Sequence, residues 1–354
     1  MDRYLMFREL TEAFGPSGFE EEPRRIMKKY LQKKYTISYD RLGNIIASKE
    51  KENSPKIFVC AHMDEIGFMV KSITKVGNKG FIRFLPLGGW WEGVLLGQKV
   101  KIRTSQKDFI GIIGAKPPHE MKPEERKKTV EMKNMFIDIG ILKGSGAEKV
   151  GIKPGDPIVP YSKFIPLENK TLSAKAWDDR VGCAAILEAA DRLEESPNSV
   201  YFSGTVQEEV GLRGARTVAN FIKPDIAFAI DVSIARDIPG EEAEQTEFLG
   251  NGVGVIVHDS TMIPNLKLRD FVIEVLEKRK IKYHLTSIRG GYDTGAIHLS
   301  NIGVPSLALG IPTRYIHSHV SLIHEDDFEN LVKAIVAVIE ELNAENVSKI
   351  LSFE

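Results

Sequence analysis

The sequence predicts an α/β protein, a three-layer α/β/α domain around a mostly parallel central sheet with a smaller β-barrel inserted into it. Three observations carry that reading. From about residue 165 onward, apolar strand-like runs alternate with helical patterns, as in a sheet covered by helices on both faces. Residues 67–164 hold short strand-like pieces between Gly, Pro and charged turns, with hardly any helical periodicity. At 354 residues the chain is long enough for one large domain and a smaller second one. The expected boundaries place residues 1–66 and 165–354 in the main domain and residues 67–164 in the insertion.

Two amphipathic helices open the chain. The first runs roughly from 2 to 14 and is stopped by "GPSG"; the second spans 20–34, with Ile26, Met27, Tyr30 and Leu31 on one face. A strand, "KIFVCAHMD", begins near 56. The insertion then supplies "GFMVKSI", "GFIRFLPLGG", "QKVKIRT", "DFIGIIG" and "MFIDIG" as strands. Its end, "GAEKVGIKPGDPIV", puts a short helix before a Gly-Asp turn and a strand, which resembles the closing part of a PDZ-like barrel. The stretch "AKPPHEMKPEERKKTVEMKN" is polar, highly charged and bears prolines, and reads as a long mobile loop. Beyond 165 come "VYFSGTVQ", a helix from Arg213, "DIAFAIDV", a helix over about 266–280, "VPSLALG" and a final helix from about 325.

Composition narrows the function classes. The 48 Lys and Arg against 49 Asp and Glu leave a net charge of −1, too little field to favour nucleic acid or an anionic membrane. The opening "MDRYLMFREL" mixes charges with its apolar residues, unlike a signal-peptide core, and no run of about 18 apolar residues occurs. The expectation is a soluble, cytoplasmic protein with small or peptide substrates. Cys60 and Cys183 are the two cysteines, each within an apolar run, and read as core residues rather than a disulfide or zinc framework.

Ligands of open α/β sheets bind beyond the carboxyl ends of the strands, so the residues just past each apolar run are the candidates. After "KIFVCA" come His62 and Asp64, after "VYFSGTVQ" Glu208 and Glu209, after "IAFAI" Asp231, and after "VPSLALGIP" His317 and His319. Asp178 and Asp179 stand in "AWDDR", where a helical pattern starts and exposed N–H groups favour anions. Taken singly these residues have ordinary structural explanations, a satisfied histidine, a turn or a helix cap. Their shared placement outweighs those explanations. Two imidazoles and three carboxylates at one sheet edge suit two divalent cations held by N and O ligands, with one carboxylate bridging. Cations would also offset the repulsion between Glu208 and Glu209. In "HMD", residues i and i+2 of a strand point the same way, so Asp64 can lie beside His62 and orient its ring.

"AHMDEIG", "WDDR", "TVQEEVGLRGA", "FAIDV" and "RYIHS" stand in the order and at the spacing of the tetrahedral (TET) cytosolic aminopeptidases. These are dinuclear metallopeptidases also described as FrvX-like or glutamyl-aminopeptidase-like, and the resemblance runs from about residue 5 to 345. "RGGYDTGAIH" and "KPPHEMKPEERKK" resemble that pattern as well. The resemblance implies a metallopeptidase domain, an inserted PDZ-like dimerisation domain and a hollow twelve-subunit tetrahedron that trims peptides from a free N-terminus. It implies two divalent ions, zinc or cobalt, with His62 and Glu209 on one, Asp231 and His317 on the other, and Asp178 as the bridge. Glu208 is then the general base, Asp64 the acid that supports His62, and His319 a pocket or structural residue.

Other readings remain at this level. A dinuclear hydrolase of the same fold could act as a carboxypeptidase, a deacylase or a polysaccharide hydrolase, and a non-catalytic peptide-binding or assembly protein would use the barrel alone. A metal-free glycosidase would leave His62 and His317 unexplained. The acidic run "IARDIPGEEAEQTEFLG", with Glu241, Glu242, Glu244 and Glu247, would draw basic first residues if it lined the entrance, and is otherwise a solvated loop.

Overall fold

The computed structural model describes residues 2–77, 79–140, 150–240 and 247–354. Two helices, α1 (Arg3–Glu12) and α2 (Glu21–Leu31), lead into strands β1 (Thr36–Tyr39), β2 (Ile45–Lys49) and β3 (Lys56–His62). In α2, Glu21 and Glu22 sit in the first turn and Lys28 and Lys29 in the last, each sign complementing the helix dipole. Its predicted apolar face turns inward: Met27 and Leu31 are buried, with Ile26 and Tyr30 packed against the same core.

The chain then closes a six-stranded barrel from β4 (Gly67–Val76), β5 (Lys79–Leu87), β6 (Lys99–Arg103), β7 (Asp108–Gly114), β8 (Phe136–Asp138) and β9 (Pro157–Pro160). Around the barrel the strands run β4-β5-β8-β7-β6-β9, over a core that includes Phe68, Ile82, Ile102, Ile137 and Ile158. The charged stretch between β7 and β8 is not featureless. It carries two 3₁₀ turns, Pro118–Glu120 and Met132–Asn134, and the short α3 (Pro123–Arg126), where the Lys122 N–H donates to Glu125. The short helix expected in "GAEKV" falls largely on residues 146–149, outside the described residues.

Beyond the barrel come β10 (Ile165–Pro166), β11 (Thr171–Ala174), α4 (Trp177–Arg192), β12 (Ser199–Thr205), α5 (Arg213–Ile222), β13 (Ile226–Ile234) and β14 (Val253–His258). They are followed by α6 (Leu266–Lys278), β15 (Tyr283–Ser287), α7 (Thr294–Ile297), β16 (Ser306–Thr313), β17 (Ser321–His324), α8 (Glu325–Glu341) and α9 (Ala344–Leu351). The final helix expected from 325 is thus two, because Asn343 interrupts it and its side chain accepts the Asn346 N–H to start the second. Among the described residues no helix is long and apolar enough to cross a membrane.

The main sheet is mixed, with strand order β1-β2-β12-β3-β13-β16-β14-β15. Its centre, β12-β3-β13-β16, is parallel, as expected. The departure lies at the edges, where β1 pairs antiparallel with β2, β2 with β12, and β14 with β16. A tight connection at Asp40, whose carboxylate accepts the N–H groups of Leu42, Gly43 and Asn44, makes β1 and β2 a hairpin and hence antiparallel.

Alternation along the central strands builds the two faces. In β3, Ile57, Val59 and Ala61 join the core under α1, α2, α4, α6 and α8, while Phe58 and Cys60 join the core under α5 and α7. Helix α4 is almost wholly buried, and four alanines, Ala184, Ala185, Ala189 and Ala190, let it lie close between neighbours. Each large aliphatic side chain buried here contributes roughly 1.5–3 kcal/mol. Both cysteines are buried and unpaired, as expected of core residues.

Candidate active site

All strands of the parallel centre end on the same side, and the chain turns there hold the candidate residues. His62 closes β3 and is 2% exposed. Its Nδ1 lies 3.0 Å from the backbone carbonyl of Asp64, so this nitrogen carries the proton and Nε2 presents a lone pair. The Asp64 carboxylate is 3.5 Å away, so the carbonyl, more than the expected carboxylate, orients the ring. His317 repeats the arrangement: its Nδ1 donates to the carbonyl of Gly89 at 2.7 Å, again leaving Nε2 for the site.

The two Nε2 atoms face one carboxylate. Asp178 Oδ1 is 3.0 Å from His62 and Asp178 Oδ2 is 3.2 Å from His317. Glu208 and Asp231 each approach His62 Nε2 at 3.9 Å, and Glu209 approaches His317 Nε2 at 3.7 Å. By these distances Asp231 lies nearer His62 and Glu209 nearer His317, with Asp178 between, whereas the resemblance implies His62 with Glu209 and Asp231 with His317. All six residues line one cavity of about 410 Å³.

Asp178 departs from helical geometry at the start of α4, with φ −77° and ψ 106°, and the Asp178–Asp179 peptide bond is cis. Asp179 turns the other way. Its oxygens accept the N–H groups of Gly182 and His62, so it caps the helix and ties it to β3. The segment after β12 is pinned by a run of buried acceptors. Asn44 takes the N–H of Val206, Glu20 that of Gln207, and Asp64 those of Glu208 and Glu209. Ser17 donates to Asp64 in turn, at 2.6 Å. At the next turn only glycine fits position 214, where a Cβ would lie 2.4 Å from both the Val206 carbonyl and Asn44 Oδ1.

Burial and mutual charge set the protonation of the cluster. Burial pushes the carboxyls of Glu208 and Asp231 well above their ordinary range, and it lifts Glu209 to about 8, with Asp178 adding to the effect. Burial alone would lower both imidazoles, yet the carboxylates around them prevail: His317 rises to about 10 and His62 also rises. Asp178 is held below its usual value because the hydrogen bonds from His317 and His62 outweigh its burial. A lone pair facing a carboxylate at 3.0 Å needs a cation between them, either a proton or a metal. Glu209 Oε1 is buried with no hydrogen-bond partner, which also suits a ligand oxygen. Groups of ligand atoms within 4.8 Å occur at His62, Asp178 and Glu209 and at His62, Asp179 and Asp231. The donor set is nitrogen and oxygen, so the residues fit divalent cations.

His319 stays apart. It is 4% exposed, neither ring nitrogen has a partner, and its ring centre lies 5.5 Å from that of Trp90. Burial drops its pKa to about 4, so it is a neutral packing residue. The sequence reading missed Gly88, Gly89, Ser17, Glu20 and Asn44. The two glycines are the most informative, because they bring the end of a barrel strand into the site: a Cβ on Gly88 would lie 2.9 Å from Glu209 Oε2. The pair "GG" closing "GFIRFLPLGG" was the available signal.

A parallel-centred sheet with its reactive side chains gathered beyond the strand ends defines the class, an α/β enzyme with its active site at the carboxyl edge. Residues 43–334 match the family described as M42 glutamyl aminopeptidase, and the chain belongs to that family. It is therefore a hydrolase of peptide bonds, of the aminopeptidase kind. The chain is 44% identical to the TET aminopeptidase from the marine sediment archaeon Thaumarchaeota archaeon SCGC AB-539-E09, whose crystal structure superposes with a TM-score of 0.94 over 99% of this chain and 100% of the other. The TET1 peptidase of Pyrococcus horikoshii, which can assemble into a tetrahedron or a large octahedral shell, is 33% identical, with a TM-score of 0.85 over 96% and 100% of the two chains. The glutamyl aminopeptidase of Lactococcus lactis subsp. cremoris (strain MG1363) is 36% identical over an alignment of 363 residues that covers 100% of both.

Proposed function

We propose that this chain removes N-terminal residues from short peptides at a two-cation centre, with Glu208 as general base. The observation that carries the proposal is the position of Asp178, whose two oxygens face two imidazole nitrogens, each ring already donating to a backbone carbonyl on its far side. His62, Asp231 and Asp178 would hold one divalent cation, and His317, Glu209 and Asp178 the other, with zinc or cobalt suited to these ligands. When bound, such a pair supplies an acidified water and draws charge from the scissile carbonyl.

The remaining work falls to the protein. Glu208 lines the cavity, where it can take a proton from the attacking water and return it to the leaving amine. Asp64 fixes the backbone on which both Glu208 and Glu209 stand.

Residues 67–164 form, in this reading, an inserted PDZ-like domain that serves self-association, first to dimers and then to a tetrahedral dodecamer, between the two parts of the catalytic domain at 1–66 and 165–354. The closed barrel, the exposed Leu85, Ile110 and Ile112 on its strands, and the assemblies of the Pyrococcus horikoshii relative support it. Two free buried cysteines suit a reducing, cytoplasmic setting. A tilt toward basic first residues would rest on four glutamates, of which Glu247 is 9% exposed and bonded to Arg236 and Thr286, while Glu241, Glu242 and Glu244 lie outside the described residues.

The test is hydrolysis of one short peptide, with free and with acetylated N-terminus, after chelation and after restoring zinc or cobalt. Release of the first residue from the free peptide alone, and only with metal, is the expected result. Cleavage of both forms, or cleavage without metal, contradicts the proposal.

A further inference from the structure

The wall of the cavity carries information about which peptides fit. Apart from the cluster, the described lining consists of glycines, two hydroxyl residues, Ser233 and Thr261, and the apolar side chains of Leu212, Val232, Ile234, Ile288, Tyr292 and Ile316. Tyr292 is 2% exposed and its hydroxyl donates to the Val232 carbonyl at 2.9 Å, so it is a fixed part of the wall and offers no free hydroxyl to a ligand. Among the described residues no Lys or Arg lines the cavity, and every acid that lines it belongs to the cluster.

The inference rests on the aminopeptidase reading and deepens it. In an aminopeptidase substrate the α-ammonium and the scissile carbonyl are attached to the same α-carbon as the first side chain. If both meet the cluster, that side chain must begin in the same cavity. A Glu or Asp there would surrender hydration with no Lys or Arg among the described lining residues to receive it. A Lys or Arg would surrender hydration with no acid outside the cluster, among the described lining residues, to receive it. An aliphatic or aromatic side chain meets surfaces of its own kind and is driven in by burial.

We propose that the site selects peptides whose first residue is neutral and apolar, with Ile288 and Ile316 as specificity-determining residues. The experiment compares kcat/KM of the metal-loaded enzyme for tripeptides that begin with Leu, Lys or Glu, each also in acetylated form. In parallel, calorimetry measures the binding of leucinamide, lysinamide and glutamic acid α-amide to metal-loaded Glu208→Gln protein. Leu is expected to exceed Lys and Glu by roughly tenfold or more in both measurements. Ile288→Glu is expected to raise Lys relative to Leu by a similar factor. Lys or Glu equal to Leu, in turnover or in binding, overturns the inference while leaving an aminopeptidase in place. Cleavage of the acetylated forms would instead overturn the aminopeptidase reading, and the binding order would then decide the pocket's chemistry by itself.

Discussion

The carboxylate of Asp64 accepts the backbone N–H of Glu208 at 3.0 Å, and its second oxygen accepts that of Glu209 at 3.2 Å. Because the Asp64 carbonyl also receives His62 Nδ1, one residue sets the position of a ring and of both glutamates. Replacing Asp64 by Ala leaves two N–H groups without their acceptor. The expected outcome is a fall in kcat of at least ~10-fold and a 10- to 100-fold loss of metal affinity, on the order seen when groups supporting metal ligands are removed. Metal titration and steady-state kinetics on one preparation check it.

Glu20 holds the peptide immediately before the proposed base. It is 4% exposed, and its Oε1 accepts the N–H groups of Gly18 and Gln207. Burial, aided by the charge of Asp64, lifts its pKa from 4.5 to about 7. The folded protein therefore holds this proton more tightly than the unfolded chain, so the group favours folding fully below pH 4.5 and loses that contribution as pH rises through about 7. Glu20→Gln keeps an acceptor and has no charge to bury, so its Tm should fall less than the wild type's between pH 5 and pH 8. Glu20→Ala should lower kcat where Glu20→Gln restores it.

Gly88 tests the contact between barrel and sheet. Its φ is +82°, and a Cβ would lie 2.6 Å from Ile66 Cγ2 as well as 2.9 Å from Glu209 Oε2. Gly88→Ala should destabilise the fold by roughly 1–3 kcal/mol through strain and overpacking. It should also weaken metal binding, because the displaced group is Glu209. Denaturant melts with and without metal separate the two effects.

Removal of cations should lower stability. Chelation leaves four buried carboxylates facing two imidazoles, and ligands that bind only the folded state raise Tm by mass action. Calorimetric scans are expected to show a drop in Tm on chelation and recovery when zinc or cobalt is added. An unchanged Tm would count against cations in the folded site.

Much of the site was legible because it follows one rule. His62, Glu208, Glu209, Asp231 and His317 each stand just beyond an apolar run, and a parallel sheet centre brings such positions together. What the rule does not contain is the pairing, since which acid stands nearer which histidine depends on strand order, β12-β3-β13-β16, that no single segment states. The supports were hidden for a similar reason. Ser17, Glu20 and Asn44 come from the first fifth of the chain and act through single bonds to backbone N–H groups near 206–209. The antiparallel edge was readable: the Asp, Gly and Asn of "YDRLGN" between two short apolar runs mark a hairpin.

The central claim is that Glu208 moves the proton while its neighbours hold the metal. The most direct measurement is metal content and peptide turnover of Glu208→Gln on the same sample. The account predicts two cations per chain, as in the wild type, with turnover reduced at least ~100-fold. Turnover near the wild-type rate, or loss of a cation, would contradict it.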